Sequence, residues 1–75
     1  MTVRIGVYPG TFDPITIGHM DIIRRALSVV DRLIVGVAED SGKEPIFDMA
    51  QRAALVQADV AASLNGDSKR VSVHP

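Results

Sequence analysis

The sequence predicts an α/β fold in which a strand, a helix, a strand, a helix and a final strand build one parallel sheet. Three observations carry this. Two β-branched apolar runs, at residues 3–8 and 32–39, flank a stretch whose apolar residues recur every three or four positions. A second stretch with that helical spacing begins at Asp48, behind a good capping residue. A short strand-like stretch, Arg-Val-Ser-Val at residues 70–73, follows an Asn-Gly stop. Strands that alternate with helices pair in parallel through right-handed crossovers, which here gives a sheet order of 3-2-1.

Residues 3–8 (Val-Arg-Ile-Gly-Val-Tyr) read as a strand bounded by the Pro9-Gly10 pair, and Gly6 leaves room for another backbone or a ligand to come close. From Gly18 to about Val30, Met20, Ile23, Leu27 and Val30 make one apolar stripe while Asp21, Arg24 and Arg25 take other faces. Residues 32–39 are almost continuously apolar, the pattern of a parallel strand covered on both faces. Asp48 with Gln51 three positions on forms a capping box, and Met49, Ala53, Val56, Val60 and Leu64 form the buried stripe of the second helix. Asn65-Gly66 ends it. The result is a βαβαβ unit, one mononucleotide-binding half of a doubly wound, Rossmann-like architecture, with its first strand on an open edge. On this reading residues 1–75 are the amino-terminal half of a single domain, and its carboxyl-terminal half is absent from the chain.

Composition narrows the function. Seventy-five residues allow one small, marginally stable domain, and 47% hydrophobic with 23% charged residues is too apolar for disorder. Eight basic against nine acidic residues give a net charge of −1, without the positive field that a nucleic-acid partner requires. The absence of cysteine excludes disulfides and thiolate-bound metal, and the longest apolar run, residues 33–38, is far too short to span a membrane. The expectation is a soluble cytoplasmic protein that handles a small phosphorylated ligand, with neither nucleic acid nor membrane as partner.

The stretch from Tyr8 to His19 joins the first strand to the first helix. Pro9, Gly10 and Pro14 interrupt regular structure, and Thr16 is placed to cap the helix, which puts His19 at about its third position. There the free backbone N–H groups and the positive end of the helix dipole favour a bound phosphate, and a histidine N–H is a further donor. The bland alternative is a histidine that caps its own helix. Gly10 lets the loop approach a phosphate, and the Thr11 hydroxyl is a donor beside it, unless that threonine only stabilises the turn. Phe12 offers a backbone contact, although its ring alone reads as core. Lys43, in the loop after the second strand, stands on the same rim and brings a mobile charge; otherwise it is a solvated loop lysine. Asp13 reads as a turn starter rather than a metal ligand, and His74 as an exposed strand-end residue.

Gly10-Thr11-Phe12-Asp13-Pro14 followed by Thr16-Ile17-Gly18-His19, then Asp31-Arg32-Leu33-Ile34-Val35, Lys43-Glu44-Pro45-Ile46-Phe47 and Arg52, resembles the nucleotidyltransferases with a (His/Thr)-x-Gly-His signature. The likeness is closest to the bacterial phosphopantetheine adenylyltransferases and covers nearly the whole chain. It implies transfer of AMP from ATP to 4′-phosphopantetheine, giving dephospho-coenzyme A and pyrophosphate in coenzyme A biosynthesis. The implied roles are His19 as transition-state stabiliser and ATP contact, Thr11 as contact to both substrates, Phe12 as nucleotide contact, and Lys43 as catalytic and phosphopantetheine-binding. Asp31, Arg32 and Arg52 fall to framework pairing. Magnesium would be held by ATP phosphates, with no protein ligands, and the complete enzyme would be a homo-oligomer, usually a hexamer. Gly42 and Glu44 depart from the family's pattern, and Glu44 would lower the positive potential beside Lys43. The competing readings are a sister enzyme acting on nicotinate mononucleotide or glycerol 3-phosphate, and a non-catalytic nucleotide-binding fragment. The isolated 75 residues are expected to be inactive.

Overall fold

The computed structural model describes residues 2–12, 14–38 and 48–75. Asp13 and the segment carrying Gly42, Lys43 and Glu44 lie outside them. The element order is β1 (Ile5–Gly10), α1 (Ile17–Ala26), β2 (Arg32–Val37), α2 (Met49–Ser63), a 3₁₀ turn (Asn65–Arg70) and β3 (Val71–His74). The sheet runs β1-β2-β3, parallel throughout, with Ile5 opposite Arg32, Gly10 opposite Val37 and Leu33 opposite Val71. Fold class and strand order are as the sequence implies, and β1 lies on an edge.

Three boundaries differ from expectation. β1 continues through Pro9 and Gly10, because an edge strand can lack a ladder donor on its open side. α1 stops at Ala26 with Leu27 as its C-cap, and the Ser28 hydroxyl donates to the Arg25 carbonyl at 2.6 Å. The chain still carries the expected stripe inward: Met20, Ile23 and Leu27 are buried and Val30 is half-buried. After Leu64, Asn65 takes the left-handed conformation (φ 50°) that ends many helices, and the 3₁₀ turn then delays the third strand by one residue.

The core lies on one face of the sheet. Leu33, Val35 and Val37 of β2 join Met20, Ile23 and Leu27, Val56, Val60 and Leu64, and Val71 in one buried cluster, so both helices cover this side. The other face is open, contrary to the two-sided cover expected of β2: Ile34 is only half-buried, Val7 opposite it is 66% exposed, and Ile5, two residues before Val7 in β1, is 60% exposed. Gly6 serves packing rather than a ligand, since a Cβ there would come within 3.3 Å of Val30 Cγ1.

Two arginines hold the ends of this layer. At the amino ends of the strands, Arg70 donates from Nη2 to the carbonyls of Leu27 and Val30, both at 2.6 Å, and from Nε to that of Asp31 at 3.0 Å. It thereby satisfies carbonyls that the end of α1 leaves open. Asp31 in turn accepts the Arg4 N–H at 2.8 Å, the framework role foreseen for it, whereas the Arg32 side chain is exposed. At the carboxyl ends, the same kind of service is performed by Arg52.

Candidate active site

The chain leaves β1 at Gly10 and enters α1 at Ile17 over the carboxyl rim of the sheet. Thr11 is exposed there, while Phe12 is turned inward and only 1% exposed. Phe12 has a positive φ of 48°, a left-handed conformation costing about 1–2 kcal/mol for a non-glycine residue. Burial of its ring recovers roughly 1.5–3 kcal/mol, which is enough to sustain it. The ring lies against Gly10, where a Cβ would meet Phe12 Cε2 at 3.0 Å and Cζ at 3.1 Å. Gly10 is thus required by the Phe12 ring, a packing reason where the sequence suggested clearance for a phosphate.

Thr16 is extended (φ −121°, ψ 172°) and caps α1. Its hydroxyl accepts the His19 N–H at 3.3 Å, and its own N–H donates to His19 Nδ1 at 2.9 Å, with Oγ1 3.0 Å from the same nitrogen. This is a capping box in which histidine stands where α2 has Gln51: the Asp48 N–H donates to Gln51 Oε1 at 3.1 Å and Asp48 Oδ1 accepts the Gln51 N–H at 2.7 Å. The cap foreseen as the bland reading of His19 is thus formed, and it engages Nδ1. Because Nδ1 accepts a backbone N–H, the hydrogen-bond network assigns the proton of the neutral ring to Nε2, the nitrogen the cap does not use.

An aromatic cluster holds the ring. Phe12 and His19 lie 4.8 Å apart between centroids at an interplanar angle of 62°, and Tyr8 and Phe12 are 5.2 Å apart at 86°. Such edge contacts contribute about 0.5–1.5 kcal/mol each beyond burial. Burial also raises the pKa of Tyr8 above its ordinary value by disfavouring the phenolate. Tyr8 was read from the sequence only as the end of a strand. Its position opposite Val35 in the ladder, on the helix-covered side, is what brings it to His19.

Beneath the rim sits Arg52, 2% exposed, whose Nη1 donates to the carbonyls of Thr11 at 2.7 Å and Ala38 at 3.0 Å. The Ala38 N–H donates to the Gly10 carbonyl at 2.8 Å, so the ladder is prolonged by one bond and then closed by the guanidinium. The framework pairing expected of Arg52 is thus a tie between the two chain segments that leave β1 and β2. One sequence signal pointed there: Arg52 precedes Val56 and Val60 at intervals of four, so a charged residue continues the buried stripe.

The structure brings together Thr11, Phe12 and His19 along one short path, while Lys43 lies outside the described residues, as does Asp13. At the start of α1, the N–H groups of Ile17 and Gly18 have no acceptor within the helix, and among the described residues a Cβ on Gly18 would meet only Thr16 Oγ1, at 3.6 Å. Among the described residues, glycine is therefore not demanded there by packing. The arrangement can present backbone donors, a histidine N–H and a helix dipole to an anion. Among the described residues no group of three or more histidine or carboxylate side chains is placed to hold a metal ion. A surface cleft of about 360 Å³ runs beside the site, between Ile17 and Met20 of α1 and Asp59 and Ser63 of α2, and includes neither Thr11 nor His19. His74 is exposed at the end of β3.

A family model described as cytidylyltransferase-like matches residues 7–71. The chain is 52% identical over 73 residues to a phosphopantetheine adenylyltransferase of Ruegeria sp. (strain TM1040), an alignment covering 97% of this chain and 44% of that protein. It is 58% identical over 65 residues to the phosphopantetheine adenylyltransferase of Sphingopyxis alaskensis, covering 87% of this chain and 38% of that one. The chain thus spans less than half the length of these curated relatives. Among solved structures, a bifunctional NMN adenylyltransferase/ADP ribose pyrophosphatase from Francisella tularensis, complexed with AMP and a Mn ion, superposes with a TM-score of 0.82 at 23% identity, over 99% of this chain and 22% of that one. At that identity the likeness establishes the fold.

Proposed function

The chain belongs to the cytidylyltransferase-like family, and from that premise we propose that it is the amino-terminal half of an enzyme that transfers AMP from ATP to 4′-phosphopantetheine, releasing pyrophosphate and forming dephospho-coenzyme A. The observation that carries the reading is the placement of His19, fixed by its own cap through Nδ1 and keeping Nε2–H as a donor at the start of α1. The names of the relatives supply the acceptor.

In this reaction a phosphate oxygen of phosphopantetheine attacks the α-phosphorus of ATP in line, the new O–P bond forms as the bond to pyrophosphate breaks, and pyrophosphate carries away the electron pair. The nucleophile is already ionised, so no general base is needed, and the rate comes from alignment and charge stabilisation. His19 Nε2–H donates to the α-phosphate as charge builds on its oxygens. Thr11 and the backbone of Phe12 contact the substrates on the rim, and Lys43 binds the acceptor phosphate. Magnesium would be held by the ATP phosphates and would supply neutralisation of their charge.

The open sheet face around Ile5, Val7 and Ile34, together with the unpaired edge of β1, supports the reading that a second half completes the domain. A homo-oligomer, by family likeness a hexamer, and a cytoplasmic location belong to the same proposal. Among the described residues, no helix is long and apolar enough to cross a membrane.

Pyrophosphate release by the complete protein, with ATP and each acceptor in turn, tests the assignment. Release should depend on phosphopantetheine. Release with nicotinate mononucleotide or glycerol 3-phosphate instead would move the chain to a sister activity, and no release with any acceptor would leave a nucleotide-binding fragment.

A further inference from the structure

We propose that Arg52 is a positioning residue for the reaction above, and that it acts by fixing the orientation of the Thr11–Phe12 peptide so that the Phe12 N–H is presented to a nucleotide phosphate. This rests on the proposed adenylyl transfer and adds to it a residue that never touches substrate.

Gly10 opposite Val37 is the last paired position of β1 and β2, and the chains then part, one toward α1 and one toward the segment that carries Lys43. The carbonyls of Thr11 and Ala38, each one residue past that position, have lost their ladder donors. Arg52 Nη1 has two hydrogens and gives one to each, at 2.7 and 3.0 Å. A guanidinium is planar and always charged, so it holds two acceptors at a fixed separation in a way a flexible ammonium cannot.

The peptide plane transmits this constraint. In a trans peptide the C=O and N–H vectors are antiparallel. With the Thr11 carbonyl drawn inward onto a guanidinium that is 2% exposed, the Phe12 N–H must point the opposite way, toward the side on which Thr11 is exposed. The left-handed φ of Phe12 then returns the ring to the core, where it meets His19. One buried arginine thus sets a backbone donor outside and a ring inside, beside the histidine, and ties both to the end of β2.

The test uses the complete protein with Arg52→Met, which keeps bulk but donates nothing, and Arg52→Lys, which keeps charge and can serve one carbonyl well. The Ala38 amide, bonded to the Gly10 carbonyl at 2.8 Å, reports the junction independently of activity. Its hydrogen exchange should quicken tenfold or more in Arg52→Met relative to the Val35 amide, and the Phe12 amide resonance should move. The kcat/KM for ATP should fall at least tenfold in Arg52→Met and less in Arg52→Lys. Combined with Thr11→Ala, either variant should lose less than the product of the separate losses, since both act on one loop. If Arg52→Met does not fold, Arg52→Lys alone decides by the same readings. Unchanged kcat/KM with only a lower melting temperature, or strictly multiplicative losses with Thr11→Ala, would make Arg52 an ordinary core residue and overturn the proposal. Should the wild type show no phosphopantetheine-dependent turnover, the functional reading fails, and the Ala38 and Phe12 amides then decide the positioning claim.

Discussion

His19 and Thr16 close the start of α1 on each other, with the Thr16 N–H on Nδ1 at 2.9 Å and the His19 N–H on Oγ1 at 3.3 Å. The cap and the proposed chemistry use different nitrogens of one ring, so substitutions can separate them. His19→Ala should lose ~1 kcal/mol of stability with the cap and lower kcat by ~10²-fold or more, while ATP affinity changes little. His19→Gln should restore the stability, as Gln51 does for α2, without restoring kcat. Denaturant midpoints with steady-state kinetics and direct ATP binding measure both. A loss of ATP affinity in proportion to rate would make His19 a ground-state binding residue.

Glycines of the sheet should differ sharply. Gly10→Ala forces its Cβ against the Phe12 ring and should cost about 1–3 kcal/mol, the range for overpacking, with a shift in the Phe12 ring resonances. Gly36→Ala has nothing within 4 Å of the new carbon among the described residues and serves as the tolerated control in the same urea titration.

Removal of the Arg70 side chain leaves the carbonyls of Leu27, Val30 and Asp31 without its donors. Arg70→Met should destabilise by about 1–3 kcal/mol, and Arg70→Lys should recover only part, because one ammonium does not reproduce the fork. Equal stability of Arg70→Met and wild type by urea denaturation would refute this.

Burial raises the pKa of Tyr8, so the folded state holds the phenolic proton more tightly than the unfolded chain does. The stability this gives is fully present below the ordinary tyrosine pKa of about 10 and is lost as pH rises through the raised value. Melting temperatures measured across that range should fall less for Tyr8→Phe than for wild type.

The isolated 75 residues should be inactive and associate, since β1 has one unpaired edge and Ile5 and Val7 stand exposed on the uncovered face. Sedimentation as a monomer, with a cooperative melt and adenylyl transfer, would contradict this.

Much of the fold was legible because its signals are local. The spacing of Met20, Ile23 and Leu27 and the Asp48/Gln51 capping box each report on a few neighbouring residues, and each appears where the sequence places it. Features that depend on distant partners were not legible. Pro9 looks like a strand terminator until β1 is known to be an edge, and Gly10 looks like a phosphate clearance until the ring of Phe12 is seen folded back on it. Arg52 could be marked as a framework residue, yet the carbonyls of Thr11 and Ala38 that it holds are main-chain groups, which carry no sequence signature. Within the site, residue types named His19, Thr11 and Phe12, whereas the choice of ring nitrogen required the backbone.

The strand order has a kinetic corollary. Among the described strands β2 alone has a neighbour on each side, so within these residues neither β1 nor β3 has a template until β2 is in place against the helices. Val35, Val56 and Val60, each 0% exposed, form the natural nucleus, and substitutions there should slow refolding. β1 docks after β2 on that scheme, which makes Tyr8 and the rim it leads to a late part of these residues to form, and substitutions there should mainly hasten unfolding.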